Sequence, residues 1–263
     1  MKKKLLIRIV LTCLFLLGFV NLTYGYYPVS PYAYCSNNPV KYVDPDGKTI
    51  RVYDYINDQR IDYDWKQYEG NWGFYDNNNA IYAGKNAFIG QLSGALTGLM
   101  TGGKVGYELV SNLVGMQEVI TIGTNMQGTN QYYPQSLSVS WNPNGGAGVP
   151  TLNGADTNIP FVSLGHELGH AWDYTQETAS EKVWISGETY ETKNILNSEI
   201  YSTHTENLIR VENGLQPRTH YLIDHNGKGV GPRIIDTKGR SIYYNSSNTT
   251  NYRRVSPKNR FMY

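Results

Sequence analysis

From Lys48 to Asn79 apolar and polar residues alternate in short bursts, TIRVYDYI, RIDYDW and WGFYDN, separated by turn-forming residues. A period of two predicts a few short antiparallel strands. Between Ala83 and Met100, and again between Lys104 and Leu113, apolar residues recur at helical spacing. Gly90, Gly94 and Gly98 either weaken the first of these helices or let it pack closely on a neighbour. QEVITIG and SLSVSWN alternate again and predict two further strands, and NPNGGAGVPTLNGADTN reads as a long loop. Asn158 and Pro160 mark the start of a helix that carries SLGHELGHAWDY, and NSEIYSTHTENLIRVENG predicts another, from near Asn197 to Gly214. From Asp224 onward the chain is basic, rich in Asn and Ser and poor in apolar residues, which predicts a loosely packed polar tail over 224–263.

Composition narrows the class without naming a partner. With 263 residues, 40% hydrophobic and 17% charged, the chain reads as an ordinary globular protein. A net charge of +1 gives no electrostatic reason to expect nucleic acid or an anionic membrane surface. The basic excess is concentrated at the start. Residues 1–25, MKKKLLIRIVLTCLFLLGFVNLTYG, have the basic opening, apolar run and small or polar end of a secretory signal. A membrane anchor is the rival reading, but the run is short for a span and broken by Arg8. Cleavage near Gly25 removes four of the 23 basic residues, leaving 19 against 22 acidic ones and a net charge of −3. The expected product is secreted or periplasmic, monomeric and free of the membrane. Only Cys35 of the two cysteines survives cleavage, so no intramolecular disulfide is expected.

The chemistry concentrates in HELGH. His166 and His170 lie one helical turn apart, so both can present a nitrogen to one ion while Glu167 reaches the water that the metal activates. The competing reading is an ordinary helix with two hydrogen-bonded histidines. A catalytic zinc takes three protein ligands and keeps one position open, and Asp173, Glu177, Glu199, His204 and Glu206 are candidates for the third. Asp173, three residues beyond His170 on the same helix, approaches the same ion awkwardly. Glu199, Thr203, Glu206 and Arg210 form one polar face of the second helix. Such a face is either solvated surface or turned inward onto the first helix.

Two stretches carry resemblances. SPYAYCSNNPVKYVDPDG is similar to the segment that closes the core of RHS/YD-repeat proteins, ahead of their variable C-terminal toxin domains. The preceding repeat shell is missing. GHELGHAWDY followed by SEIYSTHTENLIRVENGLQPRTHY resembles the zinc metallopeptidases of NleD-type bacterial effectors, and is similar in arrangement to the light chains of clostridial neurotoxins. That resemblance implies Zn2+ as cofactor, His166, His170 and Glu199 as metal ligands, and Glu167 as the catalytic base. It also implies that Glu206, Asn207 and Arg210 orient the ligands, and that Arg218 and Tyr221 steady the oxyanion. Where the family pattern has a paired acidic dipeptide at the third ligand, Ser198 and Ile200 flank Glu199 here. More loosely, SLSVSWNP corresponds to the strand along which such enzymes lay an extended substrate.

The expected architecture is α+β, a zincin-like metallopeptidase with an active-site helix, a small mostly antiparallel sheet and a second helix bearing a metal ligand. Its expected segments are a signal at 1–25, an RHS-core remnant at 26–47, the peptidase domain at 48–223 and a polar tail at 224–263. The expected function is zinc-dependent endoproteolysis by an RHS-associated toxin or effector, with a protein or peptide substrate and an immunity protein as partner. An inactive interaction module and a zinc hydrolase of a non-protein substrate are the alternatives, since HExxH prescribes the water and not the substrate.

Overall fold

The computed structural model describes residues 50–125, 128–145, 148–187, 194–246 and 253–263. The expected signal segment and the RHS-like stretch lie outside the described residues.

Strand β1 (Ile50–Ile56) pairs antiparallel with β2 (Gln59–Tyr68), Ile56 opposite Gln59, so Asn57 and Asp58 alone make the turn. Both have positive φ, 51° and 61°, the mirror-image two-residue turn whose twist suits a hairpin. Glu69 and Gly70, at 48° and 84°, connect β2 to β3 (Asn71–Tyr75) in the same way. Helices α1 (Ala87–Gly102) and α2 (Lys104–Val114) then carry the chain across to β4 (Ile120–Thr124), which lies parallel to β1. The Asn86 side chain caps α1 by accepting the Phe88 N–H. Next come β5 (Gln131–Tyr133) and β6 (Ser138–Trp141), antiparallel to each other, with β6 parallel to β4.

The sheet order is β3-β2-β1-β4-β6-β5, so two of the five pairings are parallel and β5 is an edge. This bears on the strand SLSVSWNP. As β6 it is flanked on both sides, and its backbone groups are taken up by β4 and β5; the free edge belongs to β5.

Within the stretch expected to be a long loop, β7 (Val149–Thr151) and β8 (Gly154–Asp156) form a short hairpin. Helix α3 (Pro160–Thr175) opens with Pro160, whose fixed φ suits a first helical position. β9 (Val183–Ile185) and β10 (Ile195–Leu196) pair before α4 (Ser198–Glu212). β11 (His220–Ile223) pairs with β12 (Gly229–Arg233), and β13 (Arg240–Asn245) with β14 (Arg260–Met262). The architecture of the described residues is mixed α+β, with four helices and several small sheets. None of these helices is long and apolar enough to cross a membrane.

The described residues of 224–263 differ from the loose tail that composition predicts. Ile234, Ile235, Ile242, Tyr243 and Tyr244 are buried, and Asp236 pairs with Arg240 at 2.9 Å and Arg260 at 3.1 Å. A few inward-facing apolar side chains, on β13 and just after β12, anchor the segment, and the Asp236 carboxylate pairs with two of its arginines.

The main core lies between the sheet and the helices. Ile50, Trp65, Ile120, Ile122, Val139 and Trp141 from the strands meet Leu92, Leu96 and Leu99 of α1, Leu113 of α2, and Val162, Leu164 and Leu168 of α3. Helix α3 is thus held against the sheet on one side and against α4 on the other. A Cβ at Gly165 would come within 2.6 Å of Ile209 Cδ1 and 3.0 Å of Leu99 Cδ2, so any larger residue makes these side chains shift. Gly165→Val is expected to destabilise the fold by about 1–3 kcal/mol through overpacking, read as a lower midpoint in urea unfolding.

Candidate metal centre

Helical spacing puts His166 and His170 on the face of α3 that meets α4. Their Nε2 atoms lie 3.1 Å and 3.0 Å from one oxygen, Glu199 Oε2. Glu199 sits in the first turn of α4, where the helix dipole favours a carboxylate. Among the described residues, His166, His170 and Glu199 form the one group whose donor atoms, all within 4.8 Å of one another, could share a metal ion.

Behind them the polar face of α4 is turned inward. Thr203, Glu206 and Arg210 are buried, as is Asn207 beside them. Glu206 Oε2 meets His166 Nδ1 at 3.1 Å and Arg218 Nη1 at 2.9 Å. A carboxylate on the far nitrogen fixes the ring orientation and leaves Nε2 directed at Glu199. Arg210 pairs with Asp156 of β8 at 2.6 Å and donates to the Gln216 carbonyl at 2.7 Å.

Charge and donor chemistry test whether a metal fits. Two imidazole nitrogens and a carboxylate oxygen are a zinc-type donor set. Burial alone would drive the proton off His166, but hydrogen bonds to Glu199 and Glu206 carry its pKa up to about 10. Burial would likewise raise Glu199, yet the two histidines hold it well below the usual carboxylate range. Glu206 is lowered to about 2, Arg218 and His166 outweighing its burial. Carboxylates converging on two histidines call for a cation, and a divalent ion fits this set.

Residues 106–221 match the model of Peptidase_M91, a family described as effector protein. The matched span runs from α2 into β11 and contains His166, Glu167, His170, Glu199, Glu206, Arg218 and Tyr221. Over this span the chain is similar to peptidase-type effectors, and the match supports a protease. No curated protein and no solved structure matches the chain.

A cleft of about 640 Å³ opens over the three donors, lined among others by Tyr132, Tyr133, Tyr174, Leu196 and Tyr221. Glu167 also lines it. Its burial pushes the carboxyl pKa up against the pull of His166 and His170, and the Tyr132 N–H of edge strand β5 hydrogen-bonds to it. A carboxylate so raised is a stronger base than a solvated one. The Tyr221 hydroxyl is hydrogen-bonded to Glu199, and burial together with the Glu199 charge keeps its pKa well above the ordinary phenol value. It remains a proton donor facing the cleft.

Arg218 is not placed with Tyr221 in the cleft. Its guanidinium bonds Glu206 and donates to the carbonyls of His220 and Tyr221, with the Tyr221 ring 5.1 Å away. The buried Glu206 carboxylate holds the guanidinium, so Arg218 braces Glu206 and the strand behind the site.

The remaining candidates are dispersed. Asp173 is buried and takes the Thr178 hydroxyl at 2.5 Å, Glu177 is exposed, and His204 is turned toward β13 and β14. Two features of the site had no sequence signal. The Tyr132 contact uses a backbone N–H, which any residue could supply, and Asp156 lies in a hairpin hidden in a glycine-rich stretch.

Proposed function

We propose that the chain is a zinc-dependent metalloendopeptidase of the zincin-like type, working as a toxin or effector. The observation that carries this reading is the convergence of His166, His170 and Glu199 at 3.0–3.1 Å beside a buried Glu167 at the floor of a cleft. The effector-peptidase match over the same residues supports it.

His166, His170 and Glu199 would hold the ion. Zinc in such a site supplies Lewis acidity, polarising a carbonyl and lowering the pKa of water to about 7. Glu167 takes the proton from the attacking water and passes it to the leaving amine. Tyr221 donates its hydroxyl to the developing oxyanion. Glu206, held by Arg218, keeps His166 oriented. Tyr221→Phe removes one oxyanion donor and is expected to lower kcat about 10²–10³-fold with KM little changed, measured on any peptide the chain cleaves.

The RHS-like stretch supports a role as the tip of an RHS-type toxin met by an immunity protein in the producer, whereas the signal-like start supports export by a different route. A protein or peptide is the substrate, and the working unit is a monomer. The test is incubation of the purified chain with a proteome-derived peptide library read by mass spectrometry. Internal cleavages that vanish with a zinc chelator and return with zinc are the expected result. Cleavage that survives the chelator, or none with zinc present, would contradict the reading.

A further inference from the structure

Helix α4 has a second buried face, turned away from the metal centre. His204 stacks on Tyr244 of β13, ring centroids 3.5 Å apart and planes 14° from parallel, and its Nδ1 lies 2.5 Å from the Tyr263 hydroxyl. The same hydroxyl is hydrogen-bonded to Ser241 and to Asn207. Asn207 spans the helix to the other side of the network. Its Oδ1 accepts the Arg218 N–H at 2.6 Å and its Nδ2 donates to the Arg218 carbonyl at 3.1 Å. From Arg218 the chain of contacts continues to Glu206 at 2.9 Å and from Glu206 to His166 at 3.1 Å. Three residues further on, Tyr221 reaches Glu199.

We propose that Tyr263 is a positioning residue for the metal centre, acting through Asn207 and the segment from Arg218 to Tyr221. A primary amide has two N–H donors and one acceptor oxygen. Asn207 spends its oxygen and one N–H on the Arg218 backbone, which leaves the other N–H for the Tyr263 oxygen. Tyr263 in turn shares a proton with His204 and accepts from Asn207 and Ser241. Asn207 is fully buried, so without the Tyr263 hydroxyl one of its N–H groups is stranded and its amide loses a fixed orientation. The Arg218 backbone, whose N–H and carbonyl both bond that amide, then gains freedom, and both the Glu206 brace and the Tyr221 hydroxyl move with it. The strand leading to Tyr263 is itself tied down by pairing with β13 and by the Arg260 to Asp236 ion pair.

This inference rests on the reading of His166, His170 and Glu199 as a metal site, and its test separates the two. Tyr263→Phe removes the hydroxyl and keeps the ring; Ser241→Ala removes a different partner of the same hydroxyl and leaves the path to Asn207 intact. Both are made in the full chain. Zinc affinity is measured by competition with a chromophoric chelator, and the visible spectrum of the cobalt-substituted protein reports ligand geometry. Changing a group that contacts a ligand typically costs 10–100-fold in metal affinity; Tyr263 stands three contacts beyond Glu206, so losing its hydroxyl is expected to cost less, about 3-fold. The expected result is that weakening, with an altered cobalt spectrum, in Tyr263→Phe, while Ser241→Ala keeps affinity within twofold and its spectrum unchanged even where its melting temperature falls. Unchanged affinity and spectrum in Tyr263→Phe would overturn the proposal, as would equal losses in both variants, which would mark a general packing effect. If the unmodified chain binds no metal, the metal-site reading fails first and takes this inference with it.

Discussion

Glu167→Gln is expected to lower kcat/KM for peptide hydrolysis by about 10²–10⁴ while zinc binding stays intact, because general base catalysis contributes that much. The carboxylate lines the cleft beside His166 and His170 but is not among the three converging donors, so glutamine keeps the shape and removes only the basicity. The pH profile sharpens the expectation. In the unmodified chain kcat/KM is expected to show an acidic limb, because the base must be deprotonated to act. In Glu167→Gln that limb disappears along with most of the rate. Activity surviving the substitution would assign the base elsewhere.

Glu199→Ala is expected to weaken zinc binding by more than about 100-fold, since changes that only touch a ligand from behind already cost 10–100-fold. Glu206→Gln supplies the contrast. Glu206 meets His166 through Nδ1, on the side away from the other donors, and so is expected to fall within that 10–100-fold range. The two glutamates lie seven residues apart on one helix face, but Glu199 meets Nε2 of both His166 and His170 whereas Glu206 meets Nδ1 of His166 and Arg218. Competition titrations on the two variants read that difference directly. Equal losses would mean that either carboxylate can serve.

The parts of this protein that were legible in its sequence are those in which side-chain type and spacing do the work. Alternation in TIRVYDYI and RIDYDW corresponds to β1 and β2, and the period of SLGHELGHAWDY to α3, because one buried face imposes a period on each. His166, His170 and Glu199 could be named from spacing together with family resemblance. Burial of the α4 polar face could not, since Glu199, Thr203, Glu206 and Arg210 have the same spacing whether they meet water or α3. The direction of Arg218 was hidden for a related reason. An arginine three residues from a tyrosine can face the cleft with it or turn back to a carboxylate, and the buried Glu206 decides. Pairing partners were equally out of reach: SLSVSWN reads as a strand, but nothing local to it places β5 on its outer side. The last segment misled by composition, because Ile234, Ile235 and Tyr244 are few in number yet all directed inward.

The central claim is that His166, His170 and Glu199 hold one catalytic zinc. Elemental analysis of the purified full chain, after equilibration with zinc and removal of excess, tests it most directly. One zinc per chain is expected, absent from His166→Ala. A chain that retains no zinc, or retains as much when His166 is replaced, would contradict it.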